Sequence, residues 1–262
     1  MTMAADAVSA TPPPHPPPSP ALPSPACGGG LGRGAGESRE GVAKACRVAS
    51  NPARYRIPVH YPGQRIGLFG GTFDPPHEAH LAACLLAMKR LELDQLWWLV
   101  TPGNPLKNTT GLAPLDERVA AARRLARHPR MDVTGIEAEI GVRYSYDLVR
   151  YLVSHCPGVR FVWIMGADNL RSFHRWQKWR GITKLVPIAV IDRLGPSLRA
   201  TGSVAAQALS HRRVPESEAA SLLGRRTPAW VLLHGLKSPL SSTALRAVRQ
   251  QLCTPQAKIE ST

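Results

Sequence analysis

The stretch GLFGGTFDPPHEAHLAACLLAMKRL, residues 67–91, decides the fold of this chain. It begins within a short apolar run, RIGLF at 65–69, which predicts a buried strand. The pair Gly70-Gly71 predicts a sharp turn that can approach a ligand closely. The step Asp74-Pro75-Pro76 then leads into an apolar helix. A strand, a glycine turn and a helix in this order form the first half of a βαβ unit.

The same alternation of apolar runs and amphipathic stretches continues to the C-terminal side, which is typical of a parallel sheet. Strands are predicted at 65–69, 96–100, 131–134, 160–165, 185–191 and 230–234. Helices are predicted at 77–91, 115–126, 145–156, 170–180 and about 243–252. The fold class is therefore α/β, a Rossmann-like doubly wound parallel sheet, with ligands expected beyond the carboxyl ends of its strands.

The residues before this pattern have a different composition. Residues 1–63 hold 12 of the 25 prolines and eight of the 22 glycines, without apolar periodicity. We interpret 1–63 as a disordered Pro/Gly-rich extension and 64–262 as the folded domain. A chain shortened to begin near Pro62 is expected to keep full activity. Of the net charge of +15, residues 64–262 carry +12, so the positive charge belongs mainly to the domain.

Composition and charge exclude several classes of protein. No apolar run reaches the length of a membrane span, and no secretory signal begins the chain, so a cytoplasmic protein is expected. The five cysteines are scattered without a CxxC pair, which favours reduced thiols over disulfides or structural zinc. An RNA-binding module is an alternative for so basic a chain. However, the arginines are not interleaved with aromatic residues, and aromatics make up only 6%. Neither a nucleic-acid nor a membrane partner is expected.

His77 and His80 are spaced i, i+3, which places both rings on one face of the first helical turn. Beside them lie free backbone N–H groups and the positive end of the helix dipole. This arrangement suits a phosphate under in-line attack, whose equatorial oxygens gain charge. Two alternatives stay open: one His caps the helix while the other packs on the sheet, or both bind a metal. No further ligand falls at a supporting spacing for a metal site.

A second phosphate-binding stretch is predicted at 238–246 (SPLSSTALR). The hydroxyls of Ser241, Ser242 and Thr243 can cap a helix or donate to phosphate oxygens. Arg246 falls in the first helical turn, where the dipole disfavours a cation unless an anion lies beside it. A capping sequence with a solvated arginine is the alternative for this stretch alone.

The sequence GGTFDPPHEAH at 70–80 resembles the GGTFDPxHxGH signature of the HxGH nucleotidyltransferases, most closely the bacterial nicotinate-nucleotide adenylyltransferases. The stretch 238–246 resembles the family's ISSTxIR motif, with Leu240 and Leu245 in place of isoleucine. Ala79 stands where the family usually has glycine, which adds a methyl group without removing a hydrogen-bonding group. The resemblance covers about 64–252 and implies the nucleotidyltransferase fold.

Other segments match the family between these motifs. The loop TPGNPLK at 101–107 resembles one that carries a phosphate-binding basic residue, here Lys107, which is otherwise a solvated lysine. Asp168 lies in a GxD loop, where it would bind a ribose hydroxyl, cap the following helix, or do both. Trp176 resembles the tryptophan that stacks on the pyridine ring; a core tryptophan is the alternative.

Two further segments depart in part from the family pattern. The stretch 144–149 corresponds to one with two threonines, here Ser145 and Leu148, and only Ser145 can donate a hydrogen bond to the nicotinate. The family's DRPG turn reads DRLG at 192–195, which retains Arg193 and replaces proline by Leu194.

The resemblance implies adenylyl transfer from ATP to nicotinate mononucleotide, giving nicotinate adenine dinucleotide and pyrophosphate in NAD biosynthesis. His77 and His80 would be catalytic, and Ser145 and Trp176 would bind the nicotinate nucleotide. The implied ATP- and phosphate-binding residues are Gly70, Gly71, Thr72, Phe73, Lys107, Asp168, Arg193, Ser241, Ser242, Thr243 and Arg246. Mg²⁺ would enter with ATP, without a dedicated protein site, and a homo-oligomer is left open.

Rival functions remain within and outside this superfamily. The acceptor could also be nicotinamide mononucleotide or phosphopantetheine, or the enzyme could transfer a cytidylyl group. A non-catalytic homologue that serves as a scaffold is disfavoured because His77, His80 and Arg246 are all present.

Overall fold

The computed structural model describes residues 55–103, 109–193 and 201–236. In this part of the chain, seven parallel strands form one sheet with the order β3-β2-β1-β4-β5-β7-β6. The strands are β1 Arg65–Gly71, β2 Gln95–Val100, β3 Met131–Thr134, β4 Arg160–Gly166, β5 Ile188–Arg193, β6 Arg213–Val214 and β7 Trp230–Leu236. Because the strands are parallel, their carboxyl ends all meet one edge of the sheet.

Helices cover both faces of this sheet. They are α1 Glu78–Arg90, α2 Leu115–Leu125, α3 Ile136–Glu139, α4 Ser145–His155, α5 Ala167–Ser172, α6 Trp179–Leu185 and α7 Val204–Ala208, with 3-10 segments at Phe173–Arg175, Ser210–Arg212 and Glu216–Gly224. Helices α1 and α2 pack in one core with Trp98, whereas α4 to α7 pack in a second core with Trp97. Neighbouring residues of a strand point to opposite faces. The two cores therefore confirm the predicted doubly wound α/β class.

The prediction of one helix at 170–180 is wrong. The chain instead forms α5, a 3-10 turn and α6, with Lys178 in a left-handed conformation (φ 50°) just before α6. In one continuous helix, Phe173 and Trp179 would point about 120° apart. The break lets both side chains enter the same core, where their ring centroids lie 5.6 Å apart. Burial of two aromatic rings thus overrides the helical pattern.

Differences at the strands are smaller. The strand predicted at 185–191 begins only at Ile188, because Leu185 ends α6 and Pro187 precedes the first paired residue. The two-residue strand β6 was not predicted, since it is too short to show alternation. The predicted helix at about 243–252 lies outside the described residues.

The cysteines of the described residues are thiols, as the sequence predicts. Cys84 and Cys156 are free and buried, and burial raises the pKa of Cys156 to about 11 and that of Cys84 well above its ordinary value. Within the described ranges, no helix has both the length and the apolar character needed to cross a membrane.

Residues just before β1, which the sequence assigns to the extension, contact the domain. Tyr55 is 8% exposed and belongs to the core that contains α1 and α2. Its hydroxyl donates a hydrogen bond to Asp116. The Thr134 hydroxyl donates to the Arg56 carbonyl at 3.0 Å, and the Gly63 amide donates to the Gly158 carbonyl at 2.8 Å. The boundary after residue 63 therefore remains a prediction that a truncation series can test.

Glu137, in α3, is a carboxyl group buried at the end of the sheet. It is 5% exposed, and burial raises its pKa to about 7, opposed by a hydrogen bond with Thr101. An uncharged carboxyl group fits this site because an ionised one would lose most of its hydration there.

The contacts of Tyr55 predict a difference between two truncated chains. A chain that begins at Tyr55 keeps the buried ring, whereas one that begins at Pro62 should lose about 2–4 kcal/mol in free energy of unfolding. Urea denaturation of both chains measures this difference. Tyr55→Ala in the full chain should reproduce most of the loss. Equal stability of the two truncated chains would contradict a role for Tyr55 in the core.

The raised pKa of Glu137 predicts a pH-dependent contribution to stability. The folded state keeps the proton up to about pH 7, whereas the unfolded chain releases it near 4.5, so this contribution is lost as the pH rises through 7. Glu137→Gln stays neutral at every pH. Between pH 5 and pH 8, its free energy of unfolding should rise relative to wild type by about 2–3 kcal/mol.

The matched control is Glu139→Gln, because Glu139 is exposed in the same short helix. Its difference from wild type should stay constant within about 0.5 kcal/mol over the same pH range. Parallel behaviour of the two variants would show that Glu137 ionises in the fold as readily as a surface carboxyl group.

Candidate active site

The turn after β1 leads into the helix that carries His77 and His80, but Gly70 and Gly71 do not form this turn. Gly70 and Gly71 are the last two residues of β1, and the left-handed residue is Phe73 (φ 47°). A Cβ on Gly70 would lie 2.8 Å from the Trp163 ring, and one on Gly71 would lie 3.1 Å from the Phe73 ring. The predicted sharp turn at the two glycines is therefore wrong. They are glycines because two aromatic rings occupy the space of their side chains.

Phe73 is held in its unusual conformation by an aromatic cluster. Its ring stacks on Trp98 with centroids 4.8 Å apart and lies 5.6 Å from Phe69 and 5.2 Å from His80. The side chain is 2% exposed. Phe73 is therefore almost fully covered by the domain, whereas Thr72 before it is half-buried and can be reached by a ligand.

His77 and His80 meet at the start of α1, as their spacing predicts. Their rings stack with centroids 3.7 Å apart and an interplanar angle of 27°. His77 is the N-cap residue and is 6% exposed, whereas His80 is half-buried. The two rings therefore share one side of the helix start, beside its first backbone N–H groups.

The backbone fixes the tautomer of one of these rings. The His77 N–H donates to Nδ1 of His80 at 3.2 Å. Because Nδ1 accepts this bond, a neutral His80 ring carries its proton on Nε2. His80 can therefore donate a hydrogen bond from Nε2 without first being protonated.

Two departures from the family pattern lie inside the protein. Ala79 is 1% exposed and Leu148 is 0% exposed. Leu148 packs in the core with α4 and Trp97. Both replacement side chains are covered by the domain, so they fill space in its interior.

The strand order reverses at β1, with β2 and β3 on one side of it and the other strands on the opposite side. Ligands of doubly wound sheets bind at this reversal. Gly71 and Gly166 end the two adjacent strands, β1 and β4. Asp168 follows in the first turn of α5 and is exposed, while Gly166 is the N-cap residue of that helix. Asp168 therefore does not occupy the N-cap position that the capping alternative requires.

Trp176 and Ser145 lie on the face covered by α4 to α7. Trp176 is half-buried, and its ring stands nearly perpendicular to those of Trp163 and Phe173, at 6.2 Å and 5.3 Å. It packs against the core, which is the alternative role that the sequence left open, while keeping an exposed part. Ser145 is the first residue of α4 and is half-buried.

Arg118, in α2, was missed by the sequence analysis. It is 3% exposed, and its guanidinium donates to four backbone carbonyls. The acceptors and distances are Ala113 at 2.8 Å, Thr72 at 2.7 Å, Thr101 at 2.7 Å and Pro102 at 3.0 Å. The available signal was a charged residue beside Leu115, Val119 and Ala122 on the apolar stripe of α2.

Several predicted site residues lie outside the described part of the chain. They are Lys107, Ser241, Ser242, Thr243 and Arg246. Arg193 ends β5 at the carboxyl edge of the sheet, and only its backbone is described. Among the described residues, no group of three or more His, Cys, Asp or Glu side chains is placed to hold a metal ion.

Comparison with known proteins gives a consistent result. The family model described as cytidylyltransferase-like matches residues 68–248. A "probable nicotinate-nucleotide adenylyltransferase" of Bradyrhizobium sp. (strain ORS 278) is 57% identical over 182 residues, 70% of this chain and 95% of that protein. Proteins of the same name from Methylorubrum extorquens and Agrobacterium fabrum are 57% and 53% identical, over 98% and 97% of their lengths and 70% and 69% of this chain.

A solved structure shows the same fold at low identity. The Plasmodium falciparum nicotinic acid mononucleotide adenylyltransferase complexed with NaAD aligns with a TM-score of 0.50 and 17% identity, over 70% of this chain and 83% of that chain. The match of the family model and the identity to full-length relatives establish that this chain belongs to the cytidylyltransferase-like family and, within it, to the nicotinate-nucleotide adenylyltransferases.

Proposed function

We propose that this chain transfers the adenylyl group of ATP to nicotinate mononucleotide, giving nicotinate adenine dinucleotide and pyrophosphate in the cytoplasm. The observation that carries this proposal is the stacked His77–His80 pair at the start of α1, beside the reversal of strand order. The relatives that cover the domain are named for this reaction. His80, whose Nδ1 accepts from the His77 backbone, carries its proton on Nε2 as a donor, which supports a phosphate site beside the first N–H groups of the helix.

The reaction is a direct displacement at phosphorus. An oxygen of the mononucleotide 5′-phosphate forms a bond to the α-phosphorus of ATP. The bond from that phosphorus to the bridging oxygen of the β-phosphate breaks, and pyrophosphate leaves with the electron pair. No side-chain nucleophile and no covalent enzyme intermediate are needed. Catalysis then depends on positioning and on stabilising the charge that grows on the equatorial oxygens.

The proposed roles follow from placement at the carboxyl edge of the sheet. His77 and His80 donate to the α-phosphate, His80 through Nε2. Thr72 contacts the phosphates beside them, in the turn that Phe73 shapes. Asp168, exposed after β4, accepts from a ribose hydroxyl of the nucleotide.

The remaining phosphate contacts are proposed from the sequence motifs. Lys107, Ser241, Ser242, Thr243 and Arg246 bind the β- and γ-phosphates, with Arg193 near them. Mg²⁺ enters as part of the substrate MgATP, held by phosphate oxygens, which requires no cluster of protein ligands.

Recognition of the pyridine ring is assigned to the opposite face of the sheet. Trp176 offers a flat aromatic surface whose orientation is fixed by Trp163 and Phe173. Ser145, at the start of α4, donates to the nicotinate carboxylate. Ser145 would favour a carboxylate on the ring, whereas stacking on Trp176 serves an acid and an amide alike.

The substrate prediction is tested with purified protein, MgATP and one acceptor at a time. Nicotinate mononucleotide should give the highest kcat/KM for pyrophosphate release, above nicotinamide mononucleotide and phosphopantetheine. A higher kcat/KM for the amide would overturn the proposed specificity. Absence of release with every acceptor would overturn the proposed reaction.

The catalytic assignment predicts the effect of three substitutions. His77→Asn keeps a good N-cap residue and removes the imidazole, and kcat should fall by about 100- to 1,000-fold. The kcat of His80→Ala should fall by a similar factor. His80→Gln should retain more activity than His80→Ala, because its amide nitrogen lies near the position of Nε2.

His155→Ala is the control, since His155 is an exposed histidine of α4 that stacks on Tyr151. Its steady-state kinetics should match wild type, and circular dichroism should show all four variants folded. Near wild-type turnover of a folded His77 or His80 variant would show that the imidazoles do not stabilise the transition state.

A further inference from the structure

We propose that Arg118 is a positioning residue for adenylyl transfer, which holds the turn after β1 and the loop after β2 in the arrangement that binds ATP. This inference rests on the proposed function above. It concerns a buried side chain that contacts the backbone of both loops and is not itself one of the proposed ligands of the substrates.

The contacts of Arg118 join two separate loops. One guanidinium nitrogen, Nη1, donates to the carbonyls of both Thr72 and Thr101, each at 2.7 Å. Nη2 donates to Pro102 at 3.0 Å. A guanidinium is planar and carries its donors in a fixed fork, so these bonds set the relative position of their acceptors. The side chain therefore fixes the distance between the turn after β1 and the loop after β2.

The bond to Thr72 supports the turn after β1 directly before its strained residue. The next residue, Phe73, is left-handed, a conformation that non-glycine residues rarely adopt without support. Trp98 holds the Phe73 ring, and Arg118 holds the Thr72 carbonyl directly before it. The chain reaches His77 only four residues after Phe73. The shape of this turn thus determines where the histidine pair stands.

The bonds to Thr101 and Pro102 act at the base of the second loop. The Thr101 amide donates to the Gly71 carbonyl at 3.0 Å, so the two loops start side by side. The Thr101 hydroxyl donates to Gly103 at 3.1 Å, which shapes the first residues of the loop. Lys107, the proposed phosphate ligand, follows four residues later in the chain. Arg118 therefore anchors the starting point of both phosphate-binding segments.

The burial of a cation at this position argues for a specific use. Burial lowers the pKa of Arg118, and the nearby Asp74 carboxylate opposes that shift. An apolar residue would fill the same stripe of α2 without desolvating a charge, and such replacements often do not reduce stability. What an apolar residue cannot do is donate to carbonyls of two loops at once. This geometric function is what the guanidinium supplies.

An exposed arginine of the same helix provides a control for arginine–carbonyl contacts. Arg123, in α2, donates from Nε and Nη2 to the Val133 carbonyl in β3, at 3.3 Å and 3.2 Å. It thus also binds helix to backbone, but at a strand and not at either loop. Substituting Arg123 measures how much the domain depends on an arginine–carbonyl contact made from α2.

The test compares Arg118→Lys and Arg118→Gln with Arg123→Lys and Arg123→Gln in the full chain. Steady-state kinetics with MgATP and nicotinate mononucleotide, and ATP binding by calorimetry, are measured well below the unfolding temperature of each variant. Both Arg118 variants should lower kcat by about 100-fold and weaken ATP binding by about 10-fold. Both Arg123 variants should stay within about twofold of wild type.

A second measurement separates positioning from stability. Added guanidinium at millimolar concentration should restore part of the turnover of Arg118→Ala, and methylammonium should not, because only guanidinium reproduces the planar fork. Loss of thermal stability alone, with kcat and ATP affinity unchanged in the folded Arg118 variants, would overturn the proposal. So would equal losses in the Arg123 variants, or failure of every Arg118 variant to fold.

Failure of the proposed function would look different. A wild-type protein that releases no pyrophosphate with any acceptor would contradict the reaction, whereas ATP affinity still reports on Arg118. Loss of ATP affinity confined to the Arg118 variants would then support the positioning role without the transfer assay.

Discussion

The stacking of Phe73 on Trp98 is the contact on which the geometry of the site depends. It keeps a bulky residue in a left-handed conformation, and this single backbone angle redirects the chain from β1 into α1. The Thr72 carbonyl, which accepts from Arg118, directly precedes Phe73, and His77 follows four residues after it. The aromatic core thus does more than exclude water, since it determines where the polar groups of the turn lie.

The sequence predicts much of the fold because β1, β2 and their neighbours are nearly continuous apolar runs, as buried parallel strands must be. It also predicts the meeting of His77 and His80, which depends on helical spacing alone. Three features follow from contacts between distant residues instead. These are the break before α6, the rings of Trp163 and Phe73 beside the glycines, and the reach of Arg118 to two loops. Periodicity in one segment carries no information about such contacts.

The positive charge of the domain now has a partial structural explanation. Several arginines direct their guanidinium groups to backbone carbonyls, not only to solvent. Arg65 donates to Leu91 at the end of α1 at 2.6 Å, and Arg130 donates to Leu93 at 3.0 Å. Backbone carbonyls at helix ends and in loops have no backbone N–H partner within a helix or sheet, so they can accept hydrogen bonds from arginine. Part of the excess of arginine therefore serves the fold itself.

The alternation of Trp97 and Trp98 between the two cores has a consequence for how such a protein can diverge. The helix that carries the histidine pair packs on one face of the sheet, and the helices that carry Ser145 and the segment with Trp176 pack on the other. Mutations that alter the core around Ser145 and Trp176 can accumulate while the core under the histidine pair keeps its packing. Because the sheet separates the two cores, the packing of either face can change during evolution while that of the other is kept.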